Sequence, residues 1–181
     1  MSSQSQTPPV LMPFGTRLLL SAAIGSLIIF IALAPSGPRI YRLALNAQPH
    51  LPDLKLFAHL PLAIQLHILG ALGAILLGAA LMWLRKGRIL HRAGGWTWVG
   101  LVALVAGSSM FIRGANGGGL SILHLLTGWT LITLPLAVLW AKRHQVQRHR
   151  RAMMGLFYGG FVINLAFAFI PGRTMWQLFF G

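Results

Sequence analysis

Long apolar stretches alternate with short polar stretches along most of the chain. The apolar runs cover roughly residues 17–34, 60–84, 94–112, 119–141 and 152–171. Each run approaches or exceeds the roughly 20 residues that an α-helix needs to cross the hydrocarbon core of a bilayer. The pattern therefore predicts an all-α, polytopic membrane helix bundle with five transmembrane helices.

The same pattern divides the chain into regions. Residues 1–15 are polar and contain prolines. They lack the charged start and short apolar core of a signal peptide, so we expect a disordered cytoplasmic tail. Residues 16–35 form the first predicted span, and residues 36–59 form a linker expected to lie along the outer membrane interface. The rest is a four-helix membrane core at 60–175, made of the hairpins 60–113 and 117–172.

Composition narrows the chemistry. The chain is 56% hydrophobic and 9% charged, which is typical of a membrane protein rather than a soluble domain of 181 residues. It has no cysteine and one acidic residue, Asp53. Disulfides, thiolate ligands and catalysis by paired carboxylates are therefore excluded. Histidine is the side chain left that binds a metal strongly or moves protons near neutral pH.

The basic residues indicate topology rather than nucleic-acid binding, because most of them flank apolar runs. They are dense in two loops, 85–92 and 142–151, and sparse on the other side of the predicted bundle. The positive-inside rule places both loops, and the N-terminus, in the cytoplasm. We therefore expect a multi-pass protein of the bacterial cytoplasmic (inner) membrane, whose basic loops bind anionic lipid headgroups.

An internal repeat relates the second and third predicted spans to the fourth and fifth. His67 lies sixteen residues before Trp83, and His124 lies sixteen residues before Trp140. A basic cluster and then an "HR" pair follow each tryptophan. Both hairpins cross the membrane in the same direction, so an axis along the bilayer normal should relate them. This parallel repeat predicts that His67 and His124 lie at one depth, near the outer side.

Two histidines at one depth favour haem b as a cofactor. A histidine inside a membrane span indicates function, because a polar group without a partner is costly there. His67 and His124 would supply two axial imidazoles to one iron. The haem propionates would need a cationic partner on the outer side, where the arginines are Arg39, Arg42, Arg113 and Arg173.

The "HR" histidines form a second, inner pair. His91 and His149 are predicted at one depth at the cytoplasmic edge, where they are candidate ligands of a second haem. The alternative is an interfacial anchor that snorkels toward phosphates. One haem is therefore favoured over two.

Plain packing is the alternative for the outer pair. His67 would then donate a hydrogen bond to a backbone carbonyl, and His124 would bind Thr127 or its opposite number. A hydrogen bond to a quinone is a further alternative. Small residues follow His67 on one helix face, at Gly70, Ala71, Ala74 and Gly78, and such stripes let helices approach closely.

Several of these motifs resemble a known family. His67, "HRAGG" at 91–95, "HRRAM" at 149–153 and the closing "FIPGR" at 169–173 resemble the bacterial predicted membrane proteins catalogued as domain-of-unknown-function family 2306. That resemblance implies a multi-helix membrane protein. The chain is more loosely similar to transmembrane dihaem b-type cytochromes, which pass electrons from ascorbate or quinol across a membrane. The second similarity implies histidine pairing between the second and fourth spans and between the third and fifth.

Three functions follow as hypotheses. The first is a b-type cytochrome that carries electrons within or across the membrane, with quinol or a redox protein as partner. The second is a non-catalytic membrane subunit or assembly factor whose histidines are structural and whose basic loops bind lipid or a partner. The third, a histidine-lined proton or metal path, is disfavoured by the lack of carboxylates. No nucleotide, phosphate-loop or protease motif is present in the sequence.

Overall fold

A computed structural model describes residues 36–112 and 122–181. All regular structure in these two ranges is helical, in agreement with the all-α prediction. The predicted tail, the first predicted span and Arg113 lie outside the described residues. The chain divides into two compact units, residues 1–46 and 47–181.

The described part of the first unit is a short amphipathic helix. α1 spans Gly37–Leu45, with a proline in its first turn, where a missing N–H is harmless. Arg39 and Arg42 lie about one turn apart. Tyr41 and Leu45 also lie one turn apart, and both are exposed. Basic and apolar positions arranged in this way are typical of a helix at a membrane interface.

Four helical stretches of the second unit are long and apolar enough to cross a membrane. They are α3, Leu62–Trp83; α4, Ile89–Ser109; α5, Ile122–Lys142; and a composite stretch, Val146–Ala168. At 1.5 Å per residue the 22 residues of α3 span about 33 Å, whereas a bilayer's hydrocarbon core is about 30 Å thick. In lipid every backbone polar group needs an internal partner, and a continuous helix supplies one.

The surface of these stretches is apolar. At most 17% of the most apolar window of each stretch is buried inside the protein. Leu76, Trp83 and Ile132 are 72%, 87% and 67% exposed. Apolar patches on this scale mark a surface that contacts something other than water. The described chain is therefore a membrane-like helical bundle.

Two helices begin in basic segments that precede the apolar runs. α4 begins at Ile89 and α6 at Val146, whereas the apolar runs begin near residues 94 and 152. Arginine and lysine are good helix formers, and their charged ends reach water from the first turn of a span. His91 and His149 consequently lie inside helices, one turn from their N-termini.

The composite stretch is irregular. It consists of α6, Val146–Gly155, a π-helical segment, Leu156–Val162, and α7, Ile163–Ala168. π-Helical turns are rare and occur frequently at functional sites. Periodicity did not predict this one, because the apolar run continues through it without a break.

The core lies around Trp98 of α4, which is 4% exposed. Its indole packs with Ala74, Val102, Leu156 and Phe161. Trp98 Nε1 also donates a hydrogen bond to Ala74 O at 2.9 Å. The tryptophan therefore holds α3, α4 and the π-helical segment together.

The stripe of small residues on α3 faces this core. Gly70, Ala74 and Gly78 are buried. A Cβ atom at Gly70 would lie 3.1 Å from Val105 Cγ2, and one at Gly78 would lie 2.6 Å from Trp98 Nε1. This part of the stripe serves close packing of α3 against its neighbours.

A connecting segment and a last short helix cover one end of the bundle. α2 spans Leu54–His59 and α8 spans Thr174–Phe180. The segment before α2 runs along α8, and the backbone hydrogen bonds are Gln48 N to Phe180 O, His50 N to Phe179 O and Asp53 N to Leu178 O, at 3.2, 3.0 and 3.0 Å. The sequence analysis did not predict α8, because its seven residues are too few for a span.

Candidate functional site

A cavity of about 260 Å³ lies between α3, α4, α5 and the composite stretch. It extends from the end of the bundle where α3 and α5 begin toward the Trp98 core. We call this end the His67 end, and the opposite end the His91 end. Most of the wall is aliphatic or aromatic, and the polar side chains that line it are His67, Ser109, His124, Thr127, Thr130, Asn164, Arg173 and Thr174.

His67 is held in one orientation by α4. Its Nδ1 lies 3.0 Å from Val105 O and 3.3 Å from Ser108 Oγ. Ser108 Oγ donates its own proton to Val105 O at 3.1 Å, so it can only accept from the ring. Both neighbours of Nδ1 are therefore acceptors, and Nδ1 carries the proton. The lone pair of the neutral ring is then on Nε2.

The other ring nitrogen of His67 is available for chemistry. Nε2 forms no hydrogen bond with the described residues. An imidazole that donates one N–H to a backbone carbonyl and presents the other nitrogen is the usual arrangement of metal-ligating histidines. The same bond to a carbonyl is also what the packing alternative predicts, so the hydrogen bond alone does not separate the two.

His124 lines the same cavity from α5. The sequence predicted the two histidines at one depth from equal spacing to a tryptophan, and the fold brings both to one cavity. Near them, Ser109 Oγ and Thr127 Oγ1 lie 2.8 Å apart and link α4 to α5. Ser109 Oγ donates to Ala106 O at 2.7 Å, so Thr127 is the donor in the hydroxyl pair.

The turn between α7 and α8 brings an arginine to the cavity. Gly172 has φ 91°, which glycine adopts at low cost, and it ends the helical run. Arg173 follows as the residue before α8, and its N–H donates to Ile170 O at 3.0 Å. Arg173 is half-buried and lines the cavity. Of the four arginines considered for an outer anion, this one lies at the histidine site.

Arg39 and Arg42 belong to the first unit. Arg113, which the sequence analysis named as a cofactor-binding residue, lies outside the described ranges 36–112 and 122–181.

His91 and His149 lie at the His91 end, away from the cavity, and interact electrostatically with each other. His149 Nδ1 donates to Ala137 O of α5 at 2.9 Å. His91 Nδ1 is buried without a hydrogen-bond partner, although the backbone of Leu81 interacts with the ring. The predicted inner pair therefore lies at the same end of the bundle, and neither residue lines the cavity at the His67 end.

The remaining histidines are exposed and bind backbone carbonyls or lie in a loop. His50 contacts Leu51 O and Gly181 O, at 2.7 and 3.1 Å. His59 Nδ1 donates to Lys55 O at 2.7 Å, and His144 lies in the loop before α6. Within the two described ranges no three His, Cys, Asp or Glu residues are grouped so that they could hold a metal ion.

The sequence analysis did not identify Ser108, which contacts the ring of His67, or Ser109, which contacts the hydroxyl of Thr127 in α5. The sequence did contain a local signal, because the otherwise apolar α4, which packs against the His67 helix α3, ends in two consecutive serines. Which serine would face the ring was not readable from spacing, since neighbours on a helix point about 100° apart.

No protein-family model, curated protein or solved structure matches the chain. The two resemblances drawn from the sequence therefore stay predictions. The function proposed below depends on the geometry of the site.

Proposed function

We propose that this protein is an integral membrane b-type cytochrome, with His67 and His124 as the axial ligands of one haem b. The observation that carries the proposal is that both histidines line one largely apolar cavity, and that His67 presents Nε2 while Nδ1 is fixed by Val105 O. Bis-histidine ligation and an apolar surrounding are what a b-type electron-transfer haem requires.

The donor set fits the cofactor. His67 is oriented through its other nitrogen, the walls are apolar, and Arg173 supplies a cation where propionates would need one. The volume of about 260 Å³ is below the roughly 300–1,000 Å³ of ligand pockets. The cavity is partly open to the bundle surface.

When bound, haem supplies reversible one-electron chemistry at its iron. The residues of this chain would orient the ligand, exclude water and supply charge. Val105 and Ser108 hold the proton on Nδ1 of His67 and so keep its Nε2 lone pair available. The apolar side chains around the cavity would exclude water from the haem, and Arg173 would pair with its propionates. Quinol or a redox protein is the proposed electron partner.

The proposal includes the topology and the parallel repeat. Five spans, with an N-terminus in the cytoplasm of a bacterial cell and the basic loops at the inner face, would place the haem near the outer side. Each hairpin is closed by a histidine bond between its own helices, His67 to Val105 O and His149 to Ala137 O. These two histidines are not equivalent positions of the repeat, and their bonds lie at opposite ends of the two hairpins, so the support for the repeat is the spacing in the sequence.

A second haem between His91 and His149 has weaker support. The rings of His91 and His149 interact electrostatically. The Nε2 atom of neither ring forms a hydrogen bond like those that Nδ1 forms in His67 and His149. Neither residue lines the cavity at the His67 end. We therefore propose one haem as the resident cofactor.

The competing proposal is a non-catalytic membrane subunit, and it draws support from the hydrogen bond that satisfies His67. Haem binding separates the two. The protein is expressed with added haem, purified in mild detergent and assayed by the pyridine haemochrome spectrum. We expect one haem per chain, low-spin and closed to carbon monoxide. A protein that folds but shows no haemochrome absorbance would leave the non-catalytic subunit as the better proposal.

Substitution tests the ligands. His67→Ala and His124→Ala should each lose the haem signal while the protein remains monodisperse. Added imidazole should restore part of the signal, because it replaces the missing ligand. The matched control is His144→Asn, since His144 is exposed and has φ 55°, a conformation that asparagine tolerates. Retention of haem by both cavity variants would rule out these ligands.

A further inference from the structure

Arg173 is a cation without a counter-ion in the described structure. It lines the apolar cavity beside Thr174. Its guanidinium forms no ion pair and no hydrogen bond with residues 36–112 or 122–181, in which only its backbone is bonded. A partly buried charge is costly unless it is paired.

The chain cannot supply the missing anion from its acidic side chains. Asp53 is its one acidic residue. The Asp53 carboxylate accepts the backbone N–H groups of Lys55 and Leu56, both at 2.9 Å, and so caps α2. Apart from Asp53 the chain has no acidic side chain to offer Arg173, so a ligand in the cavity is the source of an anion that this arginine could bind.

The chemistry of the guanidinium indicates which kind of ligand. Its planar fork matches a carboxylate or a phosphate, with two parallel N–H···O bonds. The Pro-Gly turn fixes the backbone of Arg173, because its N–H binds Ile170 O and its carbonyl accepts from Gln177 N at 2.9 Å. A cation whose backbone is anchored beside an apolar cavity suits an apolar molecule that carries an anionic group at one edge, and haem b, the cofactor proposed for this cavity, carries carboxylates.

We infer that Arg173 binds a carboxylate of the ligand that occupies the His67–His124 cavity. The inference rests on the proposed function and makes it more specific. Haem b carries two propionate carboxylates, whereas a quinone head carries none, so the arginine favours haem over quinone and directs the propionates toward α8. A soluble organic acid bound beside the haem would offer the same chemistry.

The test compares haem b with its dimethyl ester, in which both carboxylates are blocked. Apo-protein prepared under haem limitation is titrated with each form in mild detergent, followed by the Soret band. Wild-type protein should prefer haem b about tenfold, the value of one charge-assisted bond. R173Q should lose that preference through weaker haem b binding, while its affinity for the ester stays at the wild-type value and shows that the cavity is intact.

Two variants sharpen the comparison. R173K should keep part of the preference, because it retains the charge without the planar fork. Lys55→Gln is the matched control: it removes a cation from the same end of the bundle that does not line the cavity, and it should leave the preference unchanged.

Addition of succinate identifies the source of the carboxylate. If the propionates occupy Arg173, succinate should raise the thermal unfolding midpoint only of the ester-loaded wild type, and not of R173Q. An equal response of the haem-loaded wild type would assign the carboxylate to a soluble acid.

The outcomes separate this inference from the proposed function. Binding of haem and ester with equal affinity, or an unchanged preference in R173Q, overturns the role of Arg173 and leaves the cytochrome proposal standing. Failure of wild-type protein to bind either form overturns the cytochrome proposal, and this inference with it.

Discussion

Gly78 lies in α3 opposite the indole of Trp98, whose Nε1 donates to Ala74 O. A Cβ atom at Gly78 would lie 2.6 Å from Trp98 Nε1 and 2.7 Å from the ring of Phe157. The glycine is therefore required by close approach rather than by backbone conformation. The packing around Trp98, at the inner side of the cavity, therefore depends on the absence of a side chain at Gly78.

Gly78→Ala should lower the thermal stability of the purified protein. The added methyl group displaces two rings in a packed core, and overpacking of this kind costs about 1–3 kcal/mol. The matched control is Gly100→Ala in α4, where a Cβ atom meets nothing within 4 Å. There the better helix propensity of alanine should make the change neutral or stabilising by up to about 1 kcal/mol. Equal unfolding midpoints for the two variants would contradict the packing described for Trp98.

At the scale of elements, the π-helical segment aligns residues that an α-helix would separate. Leu156 and Phe161 are five positions apart, and both line the cavity and are buried, at 1% and 7% exposure. In a π-helix residue i lies over i+5, whereas in an α-helix the nearest neighbours are i+3 and i+4. The local winding therefore turns both side chains toward α3 and α4.

The stability of the N-cap of α2, which Asp53 forms, should depend on pH. Hydrogen bonds from the Leu56 amide, and then from the Lys55 amide, hold the pKa of exposed Asp53 below its ordinary value of 3.8, with His50 and Lys55 adding favourable charge. Because the folded pKa is depressed, the cap contributes fully above the ordinary value and is lost as the pH falls through the lower, folded one.

Amide hydrogen exchange measures this effect. Protection of the Lys55 and Leu56 amides, corrected for intrinsic rates, should fall in acid below pH 3.8 in the wild type. Asp53→Asn should keep a cap that does not titrate, since asparagine is also a good N-cap residue. Asp53→Ala should lack protection at every pH. A pH-independent wild-type profile would show that the carboxylate does not cap α2.

At the scale of the whole molecule, charge is distributed unevenly between the two ends of the bundle. The His91 end holds exposed basic residues at the starts of α4 and α6 and in the loops before them. The His67 end holds Asp53, the α8 turn and the cavity. Such asymmetry predicts that the His91 end faces the cytoplasm.

Single cysteines test that orientation, because the natural sequence contains none. An impermeant thiol reagent applied to spheroplasts should label a cysteine at exposed Ser36 and not one at exposed Gln147. Both should react after the membrane is permeabilised, which controls for access. Labelling of Gln147→Cys in intact spheroplasts would reverse the topology and place the cavity on the inner side.

The sequence by itself determined the features that depend on the local composition of a segment. Continuous apolar runs were enough to predict long membrane helices, because hydrophobic length is a local property. Equal spacing from His67 and His124 to a tryptophan predicted one depth for both histidines, and both line one cavity. The helix starts at Ile89 and Val146 precede the apolar runs, since charged first turns do not register as apolar.

Only the tertiary structure decided which faces meet. α3 is apolar on nearly every side, so its periodicity does not define an inward face. Rotation about each helix axis therefore depends on packing, such as Trp98 against Gly78. That rotation brings Val105 and Ser108 to the ring of His67, and the turn at Gly172 brings Arg173 to the cavity. These contacts join residues distant in sequence, and their geometry is fixed by interhelical packing that no single segment encodes.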